Sequence, residues 1–168
     1  AMGGLAHWDA VVGRVTPESK LGDCHMVIGA VDNRSARLAI LRSLETTAYG
    51  SPKYWLDIGN SQSSGQAVLG QVTGSRRKTD DQWRLPHVGE MFPELIDSVR
   101  DSQEDDTPSC SLAEALDSAS AASQAFRTAQ LGVVSSFVHD WPAGKSLDVL
   151  LLGATDPAFV RAVHEAIA

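Results

Sequence analysis

The stretch HMVIGAVDNRSARLAIL, from His25 to Leu41, decides the fold of this chain. It opens with a short apolar run without polar alternation, which is typical of a strand covered on both faces in a parallel sheet. The polar residues that follow predict a turn and then a helix. Asp32, Asn33 or Ser35 is able to cap that helix by accepting a hydrogen bond from a first-turn N–H group. The stretch therefore predicts a strand, a polar turn and a helix of an α/β protein.

This helix has an apolar face and a charged face. Arg42 is expected on the charged face, whereas Arg34 and Arg37 fall in the first turn, close to the end of the strand. The sequence Tyr49-Gly50-Ser51-Pro52 predicts the end of the helix, because Pro commonly follows a helix that has stopped. The apolar stripe consists of Ala36, Ile40, Leu41, Leu44 and Ala48 at helical spacing.

A second stretch, YWLDIGNSQSSGQAVLGQV from Tyr54 to Val72, predicts two strands joined by a polar turn. The first strand, Tyr54 to Ile58, is aromatic and β-branched, and the second, Gln66 to Val72, alternates enough to be a paired strand. The turn from Gly59 to Gly65 is either a hairpin turn or a substrate loop, and a hairpin is the commoner structure. The polar residues around it are Asp57, Asn60, Ser63 and Gln66.

The remainder of the chain is less patterned. Thr73 to Gln82 shows no periodicity and predicts a mobile loop. The other predicted elements are a short helix at Glu90 to Val99, a helix from Ser109 or Ser111 to about Ala129, a strand at Val133 to Val138, a buried strand at Leu147 to Leu152, and a last helix capped by Asp156 with Pro157 at its first position.

Length, composition and charge limit the class of protein. A chain of 168 residues with 43% hydrophobic content is long enough to form one domain with a sizeable core. The formal net charge of −7 argues against a nucleic acid or an anionic membrane surface as partner. No apolar run reaches the length of a bilayer span, and the N-terminus lacks a secretion signal, so we expect a cytoplasmic protein.

Asp32 is the first candidate functional residue, because it follows the carboxyl end of a buried strand, where open α/β sheets bind ligands. A carboxylate there is able to hold Mg²⁺ next to a nucleotide phosphate. The alternative is that Asp32 and Asn33 only cap the helix, and spacing alone favours this alternative, because such caps are common. Arg34 and Arg37 lie on one helical face and are able to contact phosphate, although solvated helix charges are commoner.

Cys110 is the candidate nucleophile, because it lies at an expected helix start, where a helix N-terminus lowers a thiol pKa. A buried small residue is the commoner role of a lone cysteine, and the neighbouring acidic loop would raise the thiol pKa. Neither the two cysteines nor the five histidines show metal-ligand spacing, so no zinc site is expected.

The two stretches resemble a known family. VIGAVDNRSAR, from Val27 to Arg37, resembles the Asp-Asn segment of the ThiF/MoeB/E1-like adenylating enzymes, which use ATP to activate the C-terminus of a ubiquitin-like protein. The second stretch, followed by RLPHVGEMFPEL and PSCSLAEAL, is similar in more detail to the ThiF-type proteins of bacterial PRTRC cassettes. Four blocks occur in the same order, and the resemblance covers about Trp8 to Leu116.

The resemblance implies a single domain over residues 2–168, with residues 117–168 as a divergent tail, and a partial Rossmann-like mixed sheet flanked by helices. It assigns Asp32 to Mg²⁺ and ATP, and Asn33 and Arg37 complete the motif around the nucleotide. Arg34 is a further candidate for binding the nucleotide, from its position in the first turn of the helix. Cys110 falls in a Ser-Cys-Ser block of the cassette proteins and stays a catalytic candidate. ATP and Mg²⁺ are the implied cofactors.

The sequence departs from the family pattern at two places. The Gly-rich nucleotide loop expected before Trp8 and the paired Cys-x-x-Cys zinc ligands of many relatives are both missing. One interpretation is a truncated member, non-catalytic alone, that binds a ubiquitin-like protein or another cassette protein and self-associates to cover apolar surface. The alternative is an ATP-dependent adenylyltransferase whose nucleotide site is completed by another subunit or by the C-terminal tail.

Overall fold

A computed structural model describes residues 14–19, 21, 24–31, 33–47, 53–60, 65–73, 84–97, 121–154 and 157–167. These ranges form an α/β structure with one four-stranded, open, mixed sheet, which confirms the predicted class. The strands are β1 (Met26–Gly29), β2 (Lys53–Asn60), β3 (Gly65–Val72) and β4 (Val149–Leu152); the helices are α1 (Arg34–Thr47), α2 (Val88–Met91), α3 (Ala121–His139) and α4 (Pro157–Ile167), with a 3₁₀ turn at Pro93–Leu95.

β1 lies inside the sheet, whose strand order is β3-β2-β1-β4. It is parallel to both neighbours, so that Val27 lies opposite Trp55 of β2 and Leu150 of β4. All of its residues are buried, because both faces of the sheet are covered at this strand. The unbroken apolar run that predicted a buried parallel strand is thereby explained, and the prediction is confirmed.

β2 and β3 form an antiparallel hairpin, in which Asn60 pairs with Gly65 and Lys53 pairs with Val72. The hairpin interpretation of the polar turn is therefore confirmed. Ser63, one of the polar residues at that turn, lies outside the described residues.

Two hydrophobic clusters cover opposite faces of the sheet. Successive side chains of a strand alternate between faces, and accordingly Val27 belongs to one cluster while Met26 and Ile28 belong to the other. The helices therefore lie on both faces. They contribute Ile40, Leu41 and Leu44 from α1 to the first cluster, and Val134 from α3 with Phe159 and Val163 from α4 to the second.

α1 begins where the sequence predicts; Ala48 of the predicted stripe and the predicted stop at residues 49–52 lie outside the described residues. Its cap is Asn33, whose Oδ1 accepts a hydrogen bond from the N–H of Ala36 at 2.7 Å. Arg42 lies on the outer face and pairs with Glu45, and 60% of its side chain is exposed. The predicted division of this helix into an apolar and a charged face is confirmed.

The helix predicted to about Ala129 is confirmed over its described residues, from Ala121 onward. The strand predicted at residues 133–138 is wrong, because these residues belong to the same helix, α3. Val134 is buried against the sheet, whereas Ser135 and Ser136 are exposed, as a helix with one apolar face requires. The three valines of this run favoured a strand by their β-branched side chains, but packing on the sheet decides for the helix.

The single helix predicted at residues 90–99 is also wrong. α2 ends at Met91, and the 3₁₀ turn follows. Pro93 causes the break, because the residue before a proline is disfavoured in helical conformation, and Phe92 adopts φ −136° and ψ 72°. Residues 74–82, 98–120 and Asp156, to which other predictions refer, lie outside the described residues.

β4 occupies the sheet edge beside β1. The strand was predicted as buried, but its residues are only half-buried, because within the described ranges β1 is its sole neighbouring strand. α4 follows with Pro157 at its first position, as predicted. None of the helices in the described parts of the chain combines the length and the apolar character needed to cross a bilayer.

Candidate functional site

The candidate polar residues gather at the carboxyl ends of β1 and β2, in a group that we call the carboxyl-end cluster. Two of the predicted site residues, Asp32 and Cys110, lie outside the described residues, although Val31 and Asn33 on either side of Asp32 are described. The cluster consists of Val31, Asn33, Arg34, Arg37, Asp57 and Gln66.

Arg37 and Asp57 form a buried ion pair at the centre of the cluster. Arg37 is 7% exposed and Asp57 is fully buried. The Nε of Arg37 donates to both carboxylate oxygens of Asp57, at 3.1 and 3.2 Å, while its Nη2 donates to the backbone carbonyl of Val31 at 2.8 Å. The guanidinium therefore connects β2 to the residues that leave β1.

A glycine in β1 makes room for the indole ring of Trp55 next to this pair. Gly29 is the register partner of Asp57, and a Cβ atom built on it would lie 3.1 Å from Nε1 of Trp55 and 3.9 Å from Oδ1 of Asp57. Trp55 and Asp57 both point to the α1 face, since they are two residues apart on one strand. Gly29 thus allows the indole ring of Trp55 to lie next to the carboxylate of Asp57.

Two glutamines extend the contacts of Asp57 across the sheet. Nε2 of Gln66, on β3, donates to Oδ2 of Asp57 at 2.6 Å. Gln130 of α3 is buried, and its Nε2 donates to the carbonyl of Gln66 at 3.1 Å and approaches that of Gly59 at 3.4 Å. Gln130 was not identified as a site residue from the sequence. The feature that indicates it is its position one helical turn before the core residue Val134, which places a polar side chain on the buried face of the helix.

Burial raises the pKa of Asp57 above its ordinary value, because a charged carboxylate loses its hydration in the interior. The positive charge of Arg37 and the hydrogen bonds from Gln66 and Arg37 act in the opposite direction. The ionised form of this carboxylate therefore depends on Arg37 staying beside it.

The other two described candidates are also engaged within the fold. Nε of Arg34 donates to the carbonyl of Glu94 at 2.8 Å, which ties the start of α1 to the 3₁₀ turn. Oδ1 of Asn33 accepts the N–H of Ala36 as the helix cap. In this arrangement Asn33 and Arg34 stabilise the ends of structural elements.

Arg37 is poorly placed to contact a nucleotide phosphate. A phosphate contact needs a guanidinium that presents N–H groups to an accessible surface, and Arg37 is buried with its Nε and Nη2 directed at Asp57 and Val31. The assignments of Asp32 to Mg²⁺ and of Cys110 to catalysis stay predictions, because neither residue is described.

A second feature lies where β1 and β4 end. α1 and α4 pack on opposite faces, so the chain leaves these adjacent parallel strands in opposite directions, which creates a topological switch point. Gly153 forms the turn after β4 with φ 75°, and a Cβ atom on it would lie 2.5 Å from the carbonyl oxygen of Ala30. Only glycine allows this close approach to the end of β1.

A third feature is a set of three exposed large apolar side chains in the segment beside β3, Leu85, Met91 and Phe92, which are 45%, 51% and 38% exposed. We call it the 85–92 patch. The N–H of Gln71 in β3 donates to the carbonyl of Leu85 at 2.9 Å, which holds this segment against the sheet. Gly70 permits the contact, since a Cβ atom there would lie 2.2 Å from the Cα of His87.

Comparison with known proteins adds no family assignment. No protein-family model matches the sequence, and neither a curated protein nor a solved structure matches it significantly. The resemblance to ThiF/E1-like proteins accordingly stays a prediction from the sequence blocks.

Proposed function

We propose that this chain is a ThiF/E1-like protein that does not catalyse adenylation by itself and that acts as a module for binding another protein. The buried pair of Arg37 and Asp57 is the observation that carries the first part of the proposal. Electrostatic catalysis requires donors directed at the charge that develops on the substrate. Arg37 directs its Nε and Nη2 at Asp57 and Val31 instead.

The 85–92 patch supports the second part. Single exposed apolar side chains are normal, but three large ones within one short segment are typical of a surface that a partner covers. Exposed Glu94 adjoins the patch, and the chain has a net charge of −7, so a partner with basic residues around an apolar centre is favoured. By the sequence resemblance, the partner is a ubiquitin-like protein or another protein of the same cassette.

The test is a calorimetric titration of the chain with the purified ubiquitin-like protein of a PRTRC cassette. We expect Phe92→Ser and Met91→Ser each to weaken binding by about tenfold, because exposed anchors at the centre of an interface contribute most of its affinity. Ser135→Ala, on the exposed side of α3, serves as the matched control. Equal affinity of the patch variants and the wild type would exclude this surface as the binding site.

Self-association is the other use that the patch allows, in line with the homo-oligomer predicted from the sequence. Sedimentation velocity over a range of protein concentrations distinguishes the two uses. A dimer that dissociates in Phe92→Ser identifies a second copy as the partner. A wild-type monomer at every concentration leaves the heterologous partner.

A second candidate function is the binding of Mg²⁺–ATP at the switch point between β1 and β4. The position of β4 favours it, because the C-terminal strand, the Gly153 turn and α4 stand where a completing strand–turn–helix unit is needed. NMR titration with Mg²⁺–ATP tests it. This candidate requires shifts of the amides of Ala30, Val31 and Gly153, and their absence at millimolar nucleotide would remove it.

A further inference from the structure

A continuous series of hydrogen bonds connects Gln130, on one face of the sheet, to the carboxyl-end cluster and the α1 face. It starts at Gln130 of α3, which donates to the backbone of Gln66, and Gln66 in turn donates to Asp57. Asp57 accepts from Arg37, and Arg37 donates to the carbonyl of Val31. This series of contacts ends at Val31, where the backbone leaves β1 toward α1.

We infer that Arg37 is a positioning residue, whose buried guanidinium holds the carbonyl of Val31, and with it the turn from β1 into α1, against the carboxylate of Asp57. Its side chain does not serve as a phosphate ligand. The inference goes beyond the proposed function, because it gives the arginine of the Asp-Asn motif a role that is independent of the partner or ligand.

The shape of the guanidinium explains why arginine suits this position. Its planar fork donates along two directions at once, so Nε reaches the Asp57 carboxylate while Nη2 reaches Val31. A lysine ammonium at the same site is a point charge and cannot reproduce both directions from a buried position. Gly59 lies beside this guanidinium, and a Cβ atom built there would be in ordinary van der Waals contact with Nη2, at 3.4 Å.

The N–H groups of Ala36 and Arg37 report directly on the turn. They donate to Oδ1 and to the backbone carbonyl of Asn33, at 2.7 and 3.3 Å, so they lose protection from hydrogen exchange when Asn33 shifts. The N–H of Ala30 donates to Leu152 across the sheet and reports on opening of the sheet instead. Exchange at these positions separates a local change from global destabilisation.

The experiment is native-state hydrogen exchange by NMR on Arg37→Lys and Asp57→Asn, with Arg42→Lys as the control on the exposed face of the same helix. We expect exchange at the Ala36 and Arg37 amides to accelerate by about tenfold in the first two variants, relative to any change at Ala30. The control should leave all three unchanged. Equal acceleration at every amide, or none, would overturn the inference.

A milder variant covers the case in which loss of the ion pair prevents folding. Gln66→Leu keeps Arg37 beside Asp57 and removes one hydrogen bond, so exchange at Ala36 should accelerate by about threefold. Unchanged exchange at Ala36 in this variant would contradict the contact chain that starts at Gln130.

A ligand titration separates positioning from phosphate binding. Inorganic pyrophosphate is added to the wild type, to Arg37→Gln and to Asp57→Asn, and the dissociation constants are compared. The inference predicts no binding in any of them, or the same affinity in the wild type and Arg37→Gln. Arg37 is a phosphate ligand instead if Arg37→Gln weakens binding by about tenfold and Asp57→Asn, which releases the guanidinium, strengthens it. That outcome would overturn the inference without deciding whether the chain binds a protein.

Discussion

The Nε atom of Arg37 lies 3.1 Å from Oδ1 of Asp57, although the two residues are 20 positions apart in the sequence and belong to a helix and a strand. The pair is almost completely withdrawn from water. Each charge therefore depends on the other, since an unpaired charge in the interior is strongly destabilising.

Removing one partner should cost far more than removing both. We expect Asp57→Asn to lower the free energy of unfolding by about 3 kcal/mol, because Arg37 then stays buried without a counter-charge. The double variant Arg37→Met with Asp57→Leu should lose less than either single change. Urea denaturation measures both, with Glu45→Gln at the exposed Arg42 pair as the control. A loss as small as that of Glu45→Gln would show that the buried pair contributes nothing.

Gly153 and Gly144 provide a matched pair for the turn after β4. Both have positive φ, 75° and 76°, but an added Cβ meets the Ala30 carbonyl only at Gly153 and open space at Gly144. We expect Gly144→Ala to cost about 1 kcal/mol through backbone strain alone. Gly153→Ala should cost clearly more, because β4 must move away from β1. Thermal unfolding tests this, and equal losses would contradict the tight approach to Ala30.

Gly70→Ala should detach the 85–92 patch from β3. The added Cβ meets backbone atoms of Pro86 and His87, which cannot rotate away as a flexible side chain would. We expect faster proteolysis within residues 84–92 and weaker binding of the partner protein. Gly132→Ala, in α3 with open space around it, is the control and should stabilise the chain by about 0.5–1 kcal/mol. Unchanged proteolysis in Gly70→Ala would contradict the close packing of the segment on β3.

His87 should make stability depend on pH below about 6.5. Burial lowers its pKa below the ordinary value of 6.5, assisted by Arg84 and opposed by Glu90 and Glu45. The unfolded chain then binds the proton first as pH falls, so stability is present above about 6.5 and is lost toward the folded-state pKa. The free energy of unfolding, measured by urea denaturation at several pH values, should fall less steeply with decreasing pH in His87→Gln than in the wild type.

The matched control for that experiment is His139→Gln, since 88% of the His139 side chain is exposed. In this variant the free energy of unfolding should depend on pH as it does in the wild type. The same pH dependence of the free energy of unfolding in the wild type, His87→Gln and His139→Gln would mean that the charge on His87 does not influence folding.

The sequence predicted most of the elements whose pattern is local. β1, α1 and the β2–β3 hairpin follow from an apolar run, an amphipathic stripe and alternation around a glycine-bounded turn. The first part of α3, from Ala121 to about Ala129, was also predicted as helix. Its second part was predicted as a strand, because the valines in residues 133–138 mimic one, and their helical period is visible only when Gln130 and Val134 are considered together. Side-chain type favoured the strand, whereas contact with the sheet favoured the helix.

The site was harder to predict, because its defining contact is not local. Arg37 was identified as a phosphate contact and Asp57 as a residue near a turn, and nothing in their spacing indicates that they meet. The register of β1 and β2 places Asp57 opposite Gly29 at the end of β1, next to the residues that lead into α1 and to Arg37. The edge position of β4 beside β1 likewise depends on sheet order, which no single segment encodes.

The decisive experiment is a calorimetric titration of the chain with Mg²⁺–ATP, with Asp32→Ala as the control. We expect no binding heat at millimolar nucleotide, because Nε and Nη2 of Arg37 donate to Asp57 and Val31. A saturable binding isotherm that is lost in Asp32→Ala would contradict it, and would establish a nucleotide site at the end of β1.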